Sequence, residues 1–92
     1  MAKITVEREH ALGLEAARAK AEQLAERLAR EFDVTYQWQD DTLLFKRSGA
    51  DGSIAVSDNR VRVELKLGLL LSAMSGSIKR EIEQVLDKSL VA

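Results

Sequence analysis

The residue best suited to acid–base chemistry is His10, the only histidine of the chain. A catalytic triad or an imidazole-rich metal site would therefore have to take every other group from carboxylates and hydroxyls. His10 lies between the first predicted strand and the first predicted helix, where a histidine commonly caps or packs at a junction. We therefore interpret His10 as a structural residue rather than as a lone general base.

Two other segments contain residues of catalytic type in an unsuitable arrangement. Asp40 and Asp41 are adjacent in a predicted two-residue turn, so their carboxylates point outward and do not converge on a metal ion or a substrate. The segment Ser48–Gly52 has two glycines but lacks the lysine and the following helix of a phosphate-binding loop. We predict a hairpin loop at each place, and we expect no catalytic residue, no metal site and no cofactor.

Composition excludes several classes of protein. The 14 lysines and arginines almost balance the 15 aspartates and glutamates, so the basic excess typical of nucleic-acid binding is missing. Cysteine is absent and residues 1–10 alternate polar with apolar, which argues against a disulfide-stabilised secreted module and a signal peptide. The longest apolar run, Leu67–Leu71, is far shorter than the roughly 20 residues that span a bilayer. We expect a single cytoplasmic domain, residues 1–92, without a transmembrane segment.

Two amphipathic helices are predicted from three-and-four spacing of apolar residues. The first runs from Ala11 to Phe32, and the second from about Ser77 to Leu90, with Ser75 or Ser77 accepting the free amides at its start. The inward residues of the first helix are Leu14, Ala17, Ala21, Leu24, Leu28 and Phe32, and those of the second are Ile78, Ile82, Val85 and Leu86.

Alternating apolar residues predict five strands, and the turns between them predict the register. Two-residue turns at Asp40-Asp41 and Asp58-Asn59 would pair Trp38 with Leu43 and Val56 with Val61. A four-residue loop from Gly49 to Gly52 would pair Phe45 with Val56. The large apolar residues, including Tyr36 and the sole tryptophan, then share one face, so core packing of Trp38 is favoured over a ligand-stacking role.

The predicted fold is an α+β, two-layer β-α-β-β-β-β-α domain with both helices on one face of an antiparallel five-stranded sheet. The first strand, Lys3 to Arg8, would lie beside the fifth and give the order 2-3-4-5-1. The alternative places it beside the second strand through a right-handed parallel crossover.

The other face of the sheet is polar. Its basic residues Lys46, Arg60, Arg62 and Lys66 are mixed with Glu64, which favours a solvated face over a site for an acidic partner.

The segment between the last strand and the closing helix has more apolar residues than one core-facing stripe can absorb. We predict that it binds a partner or an apolar surface through Leu67, Leu69, Leu70, Leu71 and Met74. The alternative interpretation is a short helix that only closes the end of the core.

Three stretches of the sequence resemble a known bacterial family. They are Val6–Gly13, the loop Phe45–Gly52, and Leu65–Gly68 leading to Ile78 and Ile82. Together they resemble the polyhydroxyalkanoic acid system family, and the resemblance covers nearly the whole chain. It implies association with polyhydroxyalkanoate synthesis or storage granules, a setting inferred for the family mainly from genetic context. The family has no established catalytic residues, so none is carried over.

The leading hypothesis from the sequence is a non-catalytic accessory protein of polyester storage that touches a granule, a granule protein or its own copy through residues 67–74. The second hypothesis is a small carrier that holds an acyl chain between the sheet and the long helix. The predicted layout resembles helix-grip lipid-binding domains by fold analogy alone, and a domain this short has little room for a pocket of several hundred Å³.

Overall fold

The structure is a computed structural model that describes residues 2–90. Five strands and three helices follow one another along the chain: β1 (Ala2–Glu9), α1 (Leu14–Phe32), β2 (Thr35–Gln39), β3 (Thr42–Arg47), β4 (Ala50–Val56), β5 (Arg60–Leu67), α2 (Leu69–Ser72) and α3 (Ser75–Ser89). The predicted β-α-β-β-β-β-α layout is confirmed, and the one-turn helix α2 is added to it.

The strands form a single antiparallel sheet in the order β1-β5-β4-β3-β2. This order confirms the predicted placement of β1 beside β5 and shows that the parallel-crossover alternative is wrong. α1 packs against β2, β3 and β4, while α3 packs against β1 and α1. The two long helices therefore cover one face of the sheet between them.

Two of the three predicted hairpin registers are confirmed. Trp38 pairs with Leu43 across the Asp40-Asp41 turn, and Val56 pairs with Val61 across the turn at 57–60. Asp40 has a φ of 56°, the left-handed conformation expected of this turn. The second turn does not use a positive φ. Its Ser57 instead makes a backbone hydrogen bond from N–H to the Arg60 carbonyl at 2.9 Å.

The predicted register between β3 and β4 is wrong. Phe45 pairs with Gly52 rather than with Val56, because the turn is the two residues Ser48-Gly49 and β4 begins at Ala50. Gly49 has a φ of 83°, which a glycine adopts at no steric cost. The true pairing differs from the predicted one by four residues, an even number, so the same side chains still face the core.

The core lies between the sheet and the helices. Alternate residues of every strand except β2 are buried, together with one face of α1 and of α3. The fully buried large side chains are Leu24, Leu43, Ile54, Val61, Val63, Ile82 and Leu86. The predicted serine cap of the closing helix is wrong: α3 begins at Ser75 with Met74 in the N-cap position, and no side chain caps it.

The opposite face of the sheet is polar, as predicted. It forms an open, shallow hollow of about 760 Å³, lined mainly by Lys3, Thr35, Gln37, Leu44, Lys46, Asp51, Ser53, Glu64 and Lys66. Within residues 2–90, no helix is long and apolar enough to cross a membrane.

Candidate interaction surface

His10 joins the end of β1 to the β4–β5 turn. Its Nε2 lies 3.0 Å from the Ser57 carbonyl oxygen, and its Nδ1 accepts a hydrogen bond of 3.1 Å from the Leu12 backbone N–H. The backbone N–H of His10 also donates to the Asn59 carbonyl at 3.0 Å. Since Nδ1 accepts, Nε2 carries the proton and donates to Ser57. Both ring nitrogens therefore have backbone partners, which fits the structural role that we predicted for His10.

Trp38 is covered by the long helix. The guanidinium carbon of Arg18 lies 4.1 Å from the centroid of the indole ring, and the indole N–H donates to Glu22. Arg18 also donates to the Asp40 carbonyl at 2.7 Å and to the Asp41 carboxylate at 2.9 Å. A cation–π contact and two charge-assisted hydrogen bonds thus fix the β2–β3 turn to α1.

Further ion pairs surround these residues, and we call this part of the domain the ion-paired end. Arg8 of β1 reaches Asp87 at 2.8 Å and Glu83 at 3.5 Å on α3. The hydrogen bond to Asp87 is the main reason why the pKa of Arg8 is raised above its ordinary value. On the polar sheet face, Arg60 and Arg62 lie 3.6–4.0 Å from carboxylates of Glu7, Glu9 and Glu64.

The opposite end of the domain, which we call the leucine end, contains α2, the β3–β4 turn and the first turns of α3. The backbone N–H of Gly68 donates to the Gly49 carbonyl at 2.6 Å, so the start of α2 lies directly against the β3–β4 turn. A Cβ atom on Gly68 would lie 3.1 Å from that oxygen, which is why a glycine fits there. The Ser72 hydroxyl donates to the Gly68 carbonyl at 2.8 Å and closes the turn of α2.

The five residues singled out in the sequence divide into two groups. Leu67 is the last residue of β5 and is only 3% exposed, so it belongs to the core and we remove it from the candidate surface. Leu71 is half-buried and packs against the core. Leu69, Leu70 and Met74 are 82%, 90% and 43% exposed, and we call these three residues the apolar patch.

The geometry of a single helical turn explains this division. Successive helical residues point about 100° apart, so only one of three consecutive leucines can face the core. Leu71 takes that place and lines a narrow apolar crevice with Leu28, Phe32, Leu67 and Ile78. The crevice has a volume of about 20 Å³, so it has no room for an acyl chain.

The leucine end also carries cations that the sequence analysis did not assign to this site. Among residues 2–90, no carboxylate lies within 4 Å of Lys46, Lys66, Lys79 or Arg80, and we call these four residues the basic collar. Arg47 lies at the same end but is held by the fold, because its guanidinium donates to the backbone carbonyls of Phe32 and Ser48. Two carboxylates outside any such ion pair, those of Asp33 and Asp51, also lie at this end. The sequence alone gave little signal for the collar, because its members come from three elements far apart in the chain.

Comparison with protein families gives one match. The family model of the polyhydroxyalkanoic acid system proteins, whose name also refers to a granule region, matches residues 4–90. The chain belongs to this family. The match runs from β1 to the end of α3 and so confirms the resemblance seen in the sequence. Searches of curated proteins and of solved structures found no match.

Membership of the polyhydroxyalkanoic acid system family supplies a cellular setting without assigning a role to any residue. The side chains described above must therefore carry the functional argument. Within residues 2–90, no three histidine, aspartate or glutamate side chains are grouped so that they could hold a metal ion.

Proposed function

We propose that this chain is a non-catalytic accessory protein of polyhydroxyalkanoate storage, and that it attaches to the apolar surface of the granule through the apolar patch. One observation carries the proposal. The large hydrophobic side chains that are exposed among residues 2–90 are Leu69, Leu70 and Met74, and all three fall within six consecutive positions. Apolar residues concentrated in this way mark an interaction site far more often than apolar residues scattered singly.

The free energy available from the apolar patch is sufficient for reversible attachment. Burial of a leucine side chain contributes about 1.5–3 kcal/mol, so Leu69 and Leu70 together would contribute roughly 3–6 kcal/mol before the cost of association. α2 is already held by the Gly68–Gly49 and Ser72–Gly68 hydrogen bonds. The leucines are thus presented on a formed turn, which reduces the conformational entropy lost on binding.

The non-catalytic part of the proposal is supported by how the polar side chains are used. His10 bonds to backbone groups through both ring nitrogens, and Asp41 pairs with Arg18. These contacts stabilise turns and occupy both side chains, which supports a structural rather than a catalytic use of them. We therefore assign no reaction to the chain.

The second candidate function, transport of an acyl chain, has less support. A binding pocket for such a ligand needs several hundred Å³, and the crevice below Leu71 offers about 20 Å³. Native mass spectrometry after incubation with fatty acids tests this alternative. A bound acyl chain would favour it over surface attachment, whereas an unmodified mass would count against it.

A sedimentation assay with polyhydroxyalkanoate particles tests surface attachment. We expect the wild type to sediment with the particles and the double variant Leu69→Ser/Leu70→Ser to remain in the supernatant. Leu69→Met/Leu70→Met, which keeps both side chains apolar, should still bind. Because both positions are exposed, the serine variant should unfold within about 1 kcal/mol of the wild type. Undiminished binding by a folded serine variant would refute the proposal.

Analytical ultracentrifugation distinguishes attachment to a surface from self-association. If the apolar patch served only to pair two copies of the chain, the wild type would be a dimer and the serine variant a monomer. The wild type would then also fail to sediment with the particles. The proposal instead expects a monomeric wild type in the absence of particles.

A further inference from the structure

The cations around the apolar patch indicate the chemistry of the surface that the patch contacts. We propose that this surface carries anionic phospholipid headgroups and that the basic collar binds them. The inference rests on the proposed function, since it names the partner of the same site. It requires that collar residues lie beside the patch and that they outnumber the carboxylates around them.

Two members of the collar come from the sheet side of the leucine end. Lys46 and Lys66 lie on either side of Asp51 in the cross-strand register, and Lys66 directly precedes the last residue of β5. Lys46 directly precedes Arg47, which pairs with Ala50 at the β3–β4 turn whose Gly49 carbonyl accepts the N–H of Gly68. These cations therefore lie where the sheet meets the start of α2.

The other two members come from the helix side. Lys79 and Arg80 lie in the second turn of α3 and are exposed, while the neighbouring Ile78 is buried. Only Ala73 and Met74 separate α2 from the start of α3. Collar residues therefore precede and follow the segment that carries Leu69 and Leu70, with Lys66 before it and Lys79 and Arg80 after it.

The arginines of the ion-paired end are compensated by carboxylates, whereas the collar residues are not. Arg8, Arg18, Arg60 and Arg62 all lie within 4 Å of carboxylates. None of the four collar residues does so among residues 2–90, and they outnumber the Asp33 and Asp51 carboxylates at their end. The leucine end is therefore locally cationic, although the whole chain has a net charge of −1.

Leucines flanked by lysines and arginines match the layered chemistry of an anionic lipid surface. The apolar side chains insert at the boundary of the acyl chains, and the cations remain at the level of the headgroups. A polyanion such as nucleic acid would bind the collar but would leave Leu69 and Leu70 in water. A bare polyester surface would bury the leucines without using the collar. A surface with both layers uses the apolar patch and the basic collar together.

Vesicle sedimentation with the full chain tests the inference. Each cation near an anionic surface contributes about a fivefold increase in affinity. We therefore expect phosphatidylglycerol-containing vesicles to bind at least about 25-fold more tightly than phosphatidylcholine vesicles at low salt. Lys79→Gln/Arg80→Gln should lower the affinity for the anionic vesicles about 25-fold. About 1 M salt, which shortens the screening length to ~3 Å, should largely abolish the difference between the two vesicle types.

The control variant Lys20→Gln/Lys88→Gln removes the same charge from α1 and from the far end of α3, and it should bind as the wild type does. Equal binding to both vesicle types would overturn the inference. An equal loss of affinity in the control would also overturn it, because net charge rather than the collar would then decide binding. Duplex DNA can be added as a competitor for the vesicle-bound protein. If it displaced the protein as well as added phosphatidylglycerol vesicles do, the collar would be assigned to nucleic acid and the inference would be overturned.

The particle assay and the vesicle assay separate the two proposals. If Leu69→Ser/Leu70→Ser loses polyester particles while vesicle charge has no effect, the proposed function stands and the lipid inference fails. If the serine variant binds particles normally but both it and Lys79→Gln/Arg80→Gln lose anionic vesicles, the apolar patch and the collar bind lipid, and only attachment to the polyester fails.

Discussion

The two ends of this domain are built from similar residues that are used differently. At the ion-paired end, Arg8 and Arg18 are each held by carboxylates, and Trp38 is covered by a guanidinium. At the leucine end, Leu69 and Leu70 face water, and Lys46, Lys66, Lys79 and Arg80 lie within 4 Å of no carboxylate among residues 2–90. The contrast teaches that exposed leucines and cations without a nearby carboxylate occur together at one end, where they are available to an external surface.

The largest expected effect is a difference in the free energy of unfolding between variants of Leu67 and Leu69, two leucines only two positions apart. Leu67→Ala should lower the free energy of unfolding by about 2–4 kcal/mol, because it leaves a cavity in the core. Leu69→Ala should change it by less than about 0.5 kcal/mol, because that side chain is 82% exposed. Urea unfolding followed by Trp38 fluorescence measures both values.

Equal destabilisation by the two alanine substitutions would break the comparison. It would mean that Leu69 is buried in solution and that α2 closes the core, as the alternative interpretation of the sequence holds. Leu67→Val, a milder change at the same site, covers the case in which Leu67→Ala does not fold.

An intermediate effect is expected from cations at the two ends. Arg18→Ala removes the contact with the Trp38 ring and the hydrogen bonds to the β2–β3 turn, so it should cost about 1–2 kcal/mol of stability. Lys79→Ala should be nearly neutral, since no carboxylate among residues 2–90 lies within 4 Å of it. The urea midpoints of the two variants give the result. A destabilising Lys79→Ala would show that the collar serves the fold.

The smallest effect concerns the boundary between the two ends, where Glu64 lies 3.4 Å from Lys3 and 3.6 Å from Arg62. Its interaction with Lys3, aided by Arg62, holds the pKa of Glu64 below its ordinary value of 4.5. The stabilisation is therefore present at pH values above 4.5 and is lost as the pH falls through the lowered pKa. Urea midpoints should accordingly drop less on acidification in Glu64→Gln than in the wild type. An equal drop in Glu64→Gln and in the wild type would show that this carboxylate does not contribute.

Much of the fold could be predicted from the sequence because apolar periodicity specifies faces. The strand order and the Trp38–Leu43 and Val56–Val61 pairings followed from alternation combined with turn length. Alternation does not distinguish registers that differ by an even number of residues, and this is why the Phe45 pairing was wrong. Only the left-handed turn at Gly49 determines that register.

The candidate site was predictable in part. The excess of leucines indicated that some had to be exposed, but the pattern did not show which ones. Leu67 was misassigned because β5 continues to that residue and buries it. The basic collar could not be predicted, since its members come together only through the β3–β4 register and the packing of α2 beside α3.

Fluorescence from single labelled cysteines tests the central claim most directly, namely that the leucine end makes the contact. The chain has no cysteine, so Ala73→Cys beside α2 and Ala16→Cys in the first turn of α1 each provide one exposed attachment site. With an environment-sensitive dye, addition of polyhydroxyalkanoate particles should shift the emission of the label at position 73 to the blue and leave the label at position 16 unchanged. A shift at position 16 equal to or larger than that at position 73 would contradict the account.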